Sequence, residues 1–132
     1  MSTPLTNPRR CLLFVPGSRP ERFAKAVATG ADQVCIDLED AVALGDKQTA
    51  REAVLAWLAQ PQPSGCEVGL RINPVSSALG QADLAALAAA GVRPAFVMLP
   101  KVESAAELAA ADAALAAIDT AFIVQIETPK GL

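Results

Sequence analysis

The chain has no histidine. Schemes that need an imidazole as general base or metal ligand are therefore excluded within this polypeptide. Cysteine is scarce and odd in number: three residues, in two strand-like runs and a loop, with no CxxC spacing. That pattern excludes a disulfide framework and reads as reduced, apolar packing residues. Aromatic residues are only 4% of the chain. Basic surplus is missing too. The formal charge is −3, with acids and bases interspersed, so no cationic stripe offers itself to a nucleic-acid backbone. No apolar run approaches the ~20 residues of a membrane span. Asp112 interrupts the Ala-rich candidate. No stretch joins a charged start, an apolar run and a cleavage site in the manner of a signal peptide. A soluble, cytoplasmic protein is the expectation.

What is present is a 132-residue chain, 52% hydrophobic and rich in Ala, Leu and Val, long enough for one domain of helices packed on a buried sheet. Positions 1–10 read as a loose lead-in. A short apolar strand at 11–15 is closed by Pro16-Gly17, and Ser18 with Pro20 marks a helix start. Phe23, Ala26 and Val27 give that helix its apolar side, and Gly30 its end. Strands follow at 33–40, 67–73, 95–99 and 122–127, alternating with helices at 46–60, 82–90 and from a Ser104/Glu107 capping box to about 118. About four and a half strand–helix units imply right-handed crossovers and parallel strands.

Sorting strand residues by parity predicts a working face. In the second, third and fifth strands one parity is Val, Ile, Leu or Phe, and must lie under the helices. The other carries Asp37 and Glu39, Arg71 and Asn73, and Gln125 and Glu127, all toward the C-terminal ends. In a parallel sheet those ends share one rim. Buried there without partners, each would cost several kcal/mol. They must pair with one another, with water, with a metal or with a ligand. Helices on one face only favour a (β/α) barrel over a doubly wound sheet. One reading of the rim is an ion-pair network of Arg71 with Glu39 or Glu127 that needs no function. The other takes the carboxylates for a hard cation and the arginine for a substrate carboxylate. Lys101, at the end of the fourth strand, is a candidate for a Schiff base or an ion-pair partner. Pro16-Gly17-Ser18 before a helix is either a plain turn or an anion site, with Arg19 and Lys25 adding charge.

Five segments carry a family resemblance: CLLFVPGSRPERFAKA at 11–26, CIDLEDAV at 35–42, GLRINP at 69–74, VMLPKVES at 97–104 and VQIETPKG at 124–131. In that order they resemble the citrate lyase β-subunit (CitE-like) or HpcH/HpaI aldolase family. The resemblance implies an α/β fold of the (β/α)8 TIM-barrel type. Residues 1–132 form about its first half, the N-terminal part of the domain, with five parallel strands and outer helices. It implies Mg²⁺-dependent cleavage or formation of a C–C bond, on citryl-CoA- or malyl-CoA-like thioesters. Arg71 would hold an oxo acid, with Glu127 and Asn73 beside it, and Glu127 would be a metal ligand. Glu39 and Asp40 would support the metal's waters, and Arg19 and Lys25 would lie near CoA phosphates. The second metal carboxylate, an aspartate in this family, is expected beyond the end of this chain. Without it the chain is expected to be metal-poor and inactive unless another chain completes it. Partners implied are an oxo acid, a CoA thioester and further copies in a homo-oligomer, with no nucleic acid and no membrane. Two other readings stay open: a metal-dependent 4-hydroxy-2-oxo acid (pyruvate) aldolase, and a catalytically incomplete half-barrel with a structural or assembly role.

Overall fold

The structure is a computed structural model describing residues 8–132; positions 1–7 of the expected lead-in lie outside the described residues. Five strands form one parallel sheet: β1 (Leu12–Pro16), β2 (Gln33–Asp37), β3 (Glu67–Arg71), β4 (Phe96–Leu99) and β5 (Ala121–Val124). Four helices connect them: α1 (Phe23–Ala28), α2 (Lys47–Leu58), α3 (Ala78–Ala90) and α4 (Ala105–Ala114). Each strand pairs with its sequence neighbours, in the order β1-β2-β3-β4-β5. A doubly wound sheet reverses its order at a switch point, whereas a barrel wall does not. The order seen is that of a barrel wall.

The two faces of the sheet differ as the parity predicts. Val15, Ile36, Leu70, Val97 and Phe122 form one cross-strand row. That row belongs to a single core with Phe23 and Ala26 of α1, Val54 and Leu58 of α2, Leu84 and Leu87 of α3, and Ala111 of α4. All four helices therefore pack on the same side. Burying a side chain the size of Leu or Phe there contributes about 1.5–3 kcal/mol. The opposite face holds a smaller apolar cluster of Cys35, Phe96 and Met98, flanked by Leu12 and Ile123. Gly69 lies among them because a methyl group there would overlap the Phe96 carbonyl and ring.

Several boundaries differ from the sequence reading. Ser18 caps no helix: a 3-10 turn at Pro20–Arg22 intervenes and α1 begins only at Phe23. With six residues starting five positions downstream, α1 puts no helix N-terminus at the Pro16-Gly17-Ser18 turn. Strand β2 stops at Asp37 rather than 40, because its carboxylate accepts the N–H groups of Glu39 and Ala41 and turns the chain. Helix α3 starts at Ala78, four residues earlier than expected, capped by the Ser77 side chain accepting from the Gly80 N–H. Helix α4 has the expected Ser104/Glu107 capping box but ends at Ala114. Arg9 and Arg10, read as part of a loose lead-in, are tied down instead. Arg9 Nε donates to Glu67 at 2.8 Å, and Arg10 Nη2 donates to Asp32 at 3.0 Å.

Candidate active site at the strand rim

Arg71 ends β3 and Asp37 ends β2, directly opposite one another in the ladder. Their side chains share the face away from the helices and form a fork: Arg71 Nε donates to Asp37 Oδ1 at 2.8 Å and Nη2 to Oδ2 at 2.7 Å. The Glu39 and Ala41 N–H groups add two more hydrogen bonds to the same carboxylate, at 2.9 and 3.1 Å. Burial pushes the Asp37 carboxyl up, but the fork and the backbone donors outweigh it and hold the group below its ordinary range. The same fork raises the Arg71 guanidinium further. The Phe14 ring lies 5.0 Å from Arg71 Cζ, a cation–π platform from β1. With Nε and Nη2 on Asp37, Nη1 is left toward the rim. There it donates to Gln125 Oε1 at 3.4 Å and lies 3.5 Å from Glu39 Oε1.

Glu39 is buried, and its Oε1 accepts no hydrogen bond from the described residues. Its other oxygen accepts from Lys101 Nζ at 3.0 Å, and Lys101 also reaches Asp40 Oδ1 at 3.4 Å. Burial raises the Glu39 carboxyl, and Lys101 and Arg71 only partly offset that. Lys101 itself is raised by its bond to Glu39. It is held as an ammonium ion, the wrong state for a Schiff-base nucleophile. Its backbone N–H donates to Glu127 Oε2 at 3.0 Å. Glu127 follows β5 and is exposed. Arg71 and Glu127 thus stand on one rim, joined through Glu39 and Lys101. The ion pair considered between Arg71 and Glu127 is replaced by the fork to Asp37.

Not every expected residue joins this group. Strand β3 ends at Arg71, so period-two alternation does not carry on to Asn73. The Asn73 amide donates at 2.7 Å to Asp83 Oδ2 of α3, and its backbone N–H donates there at 2.9 Å. Arg51 of α2 holds the other Asp83 oxygen at 2.7 Å. Asn73 thus anchors the segment after β3 to the helix layer, not to the rim. Asp40 is exposed at the edge of the group, and Arg19 and Lys25 are exposed near the β1 turn. Arg19 lies 3.9 Å from Glu21 and lines a cavity of about 320 Å³ with Gly17, Ser18, Pro20, Asp46 and Thr49. Lys25 does not line it. Lys101 is the ion-pair partner that the sequence offered as one of its two readings, with Glu39 and Asp40, whereas sequence reasoning missed Phe14, Asp37 as the arginine's partner, and the Lys101 backbone bond to Glu127. Asp37 and Arg71 did share one parity at the strand ends, which was the available signal.

Carboxylate oxygens are suitable donors for a small hard cation, and exposed Glu127 keeps one oxygen, Oε1, free of any hydrogen bond among the described residues. Among the described residues no three acidic or thiol side chains gather into a closed cage. Mg²⁺ does not require one, since it keeps several waters and takes one or two carboxylates besides its substrate.

Comparison with known proteins places this geometry. The HpcH/HpaI aldolase/citrate lyase family matches residues 10–132. Citrate lyase subunit beta of Haemophilus influenzae is 36% identical over 94% of this chain and 45% of that protein. L-malyl-CoA/beta-methylmalyl-CoA lyase of Cereibacter sphaeroides is 37% identical over 98% of this chain and 43% of that protein. The solved citrate lyase beta subunit of M. tuberculosis, complexed with oxaloacetate and magnesium, superposes with a TM-score of 0.71 at 43% identity. That match covers 93% of this chain and 51% of the other. The chain spans about half the length of the relatives it matches, in keeping with half of a barrel wall. By sequence and by fold, it belongs to the HpcH/HpaI aldolase/citrate lyase family.

Proposed function

We propose that the chain supplies the oxo-acid and cation end of a Mg²⁺-dependent carbon–carbon lyase acting on citryl-CoA- or malyl-CoA-like thioesters. In cleavage, the bond between the carbinol carbon and the carbon next to the thioester breaks. The hydroxyl loses its proton and becomes the carbonyl of an oxo acid such as oxaloacetate or glyoxylate. The thioester enolate takes up a proton to give an acyl-CoA. The observation that carries this reading is the guanidinium of Arg71, locked by Asp37 and Phe14 with Nη1 toward the carboxylate rim.

Each residue has a role in that proposal. Arg71 orients the oxo-acid end and stabilises its negative charge without having to reorganise. Glu127 would hold the cation, and Glu39 and Asp40 would orient its waters. A bound Mg²⁺ supplies Lewis-acid stabilisation for the charge that develops on the reacting oxygen. Arg19, at the mouth of the cavity beside β1, would meet the CoA phosphates, with Lys25 further along α1. The matched relatives named as thioester lyases favour this reading over an aldolase that does without CoA. A homo-oligomer is part of the proposal. So is a reducing, cytoplasmic location, supported by three free cysteines. No helix among the described residues is long and apolar enough to cross a membrane.

The test is Mg²⁺-dependent release of oxo acid from malyl-CoA or citryl-CoA, followed by a coupled reductase. Glu127→Gln is expected to lower turnover by about 10²-fold or more, and chelation by EDTA to abolish it. Arg71→Lys is expected to raise KM for the oxo acid in the condensation direction. The comparison is made in an assembly in which the parent turns over, and there unchanged turnover in Glu127→Gln would overturn the assignment.

A further inference from the structure

Lys101 is the one non-glycine residue with a left-handed backbone among those described, at φ 52°. Such a conformation is strained for a residue with a side chain and persists only where its surroundings demand it. Here it turns the chain after β4 so that one residue reaches three carboxylates. The backbone N–H is on Glu127 at 3.0 Å, while Nζ is 3.0 Å from Glu39 and 3.4 Å from Asp40. Glu39 Oε1 meets Arg71 Nη1 at 3.5 Å without a hydrogen bond, so Lys101 is the hydrogen-bonded cation of this buried carboxylate.

We propose that Lys101 is a positioning residue with two separable parts, a backbone clamp that orients Glu127 and a resident counter-cation for Glu39 and Asp40. The inference rests on the reading of the rim as a cation site. The clamp presets one carboxylate before a metal arrives. The ammonium keeps Glu39 and Asp40 from repelling each other, and it opposes a second cation by direct repulsion.

The two parts are tested on the purified protein. Amide exchange by NMR reads the clamp. In Glu127→Ala, the Lys101 amide should shift and exchange on the order of tenfold faster; an unchanged resonance overturns the clamp. Lys101→Gly should melt at or above Lys101→Ala, since only glycine is at ease at this φ; the reverse order overturns the strained turn. Mn²⁺ binding by electron paramagnetic resonance reads the counter-cation. Lys101→Met should bind on the order of three- to tenfold more tightly than the parent, and Lys101→Arg like the parent. A lysine that merely supported the fold would weaken binding when removed, and that result overturns the counter-cation. If the parent binds no Mn²⁺, the cation reading and the counter-cation fail together, while the NMR and melting results still decide the clamp.

Discussion

Asp37 accepts four hydrogen bonds, two from Arg71 and two from backbone N–H groups. Asp37→Asn takes the forked counter-charge from a buried guanidinium, leaving it Glu39 at 3.5 Å, and turns two N–H groups of the amide toward donors. Breaking a buried pair from one side costs about 3–5 kcal/mol, and urea unfolding of Asp37→Asn should show a loss of that order. A second residue-scale effect concerns acid. The Arg10 side chain and backbone hold the Asp32 carboxyl at about 2, below its ordinary 3.8. Between those values the unfolded chain binds more protons than the folded one, so stability falls as pH drops through that window and is fully present above it. Asp37 acts in the same direction and Glu39 in the opposite one. Melting curves from pH 5 down to pH 2 should steepen this loss in the parent and flatten it in Asp32→Asn. At this scale the sequence revealed which polar side chains share a face. It could not reveal that Asp37 stands opposite Arg71, because that depends on the register of two strands joined by a long crossover.

Among the elements, those marked by local chemistry were the legible ones. The Ser104/Glu107 box was readable because both partners lie within one turn, and Ser104→Ala should lower stability by about 1 kcal/mol in denaturant melts. Helix α3 was undercounted at its start, where Gly80 argues against a helix. The glycine is there for tertiary reasons: a side chain would overlap the Asn73 and Pro74 carbonyls. Strand ends were read too long for a related reason. Side chains such as Asp37 and Asp83 capture backbone N–H groups four and ten residues away and divert the chain, and period-two alternation carries no mark of such captures. The contact between Gly69 and Phe96 joins β3 to β4 at their backbones. Gly69→Ala should therefore cost more than about 1–3 kcal/mol of ordinary overpacking, read as a lowered melting temperature, because a carbonyl cannot step aside as a side chain can.

For the whole molecule, alternation of strands and helices and the one-sided placement of apolar residues were enough to anticipate a barrel wall. Strand order confirms it. Within the described residues the sheet runs from β1 to β5 without a reversal, so the C-terminal ends of β2, β3 and β4 stand side by side. At the opposite end of the strands, Arg9 on Glu67 and Arg10 on Asp32 stitch the approach to β1 onto the start of β3 and the turn before β2. Trimming the protein past position 10 would therefore cut the laces of its first strand, and the sheet would fray from that margin, at the far end of the strands from Arg71 and Glu39.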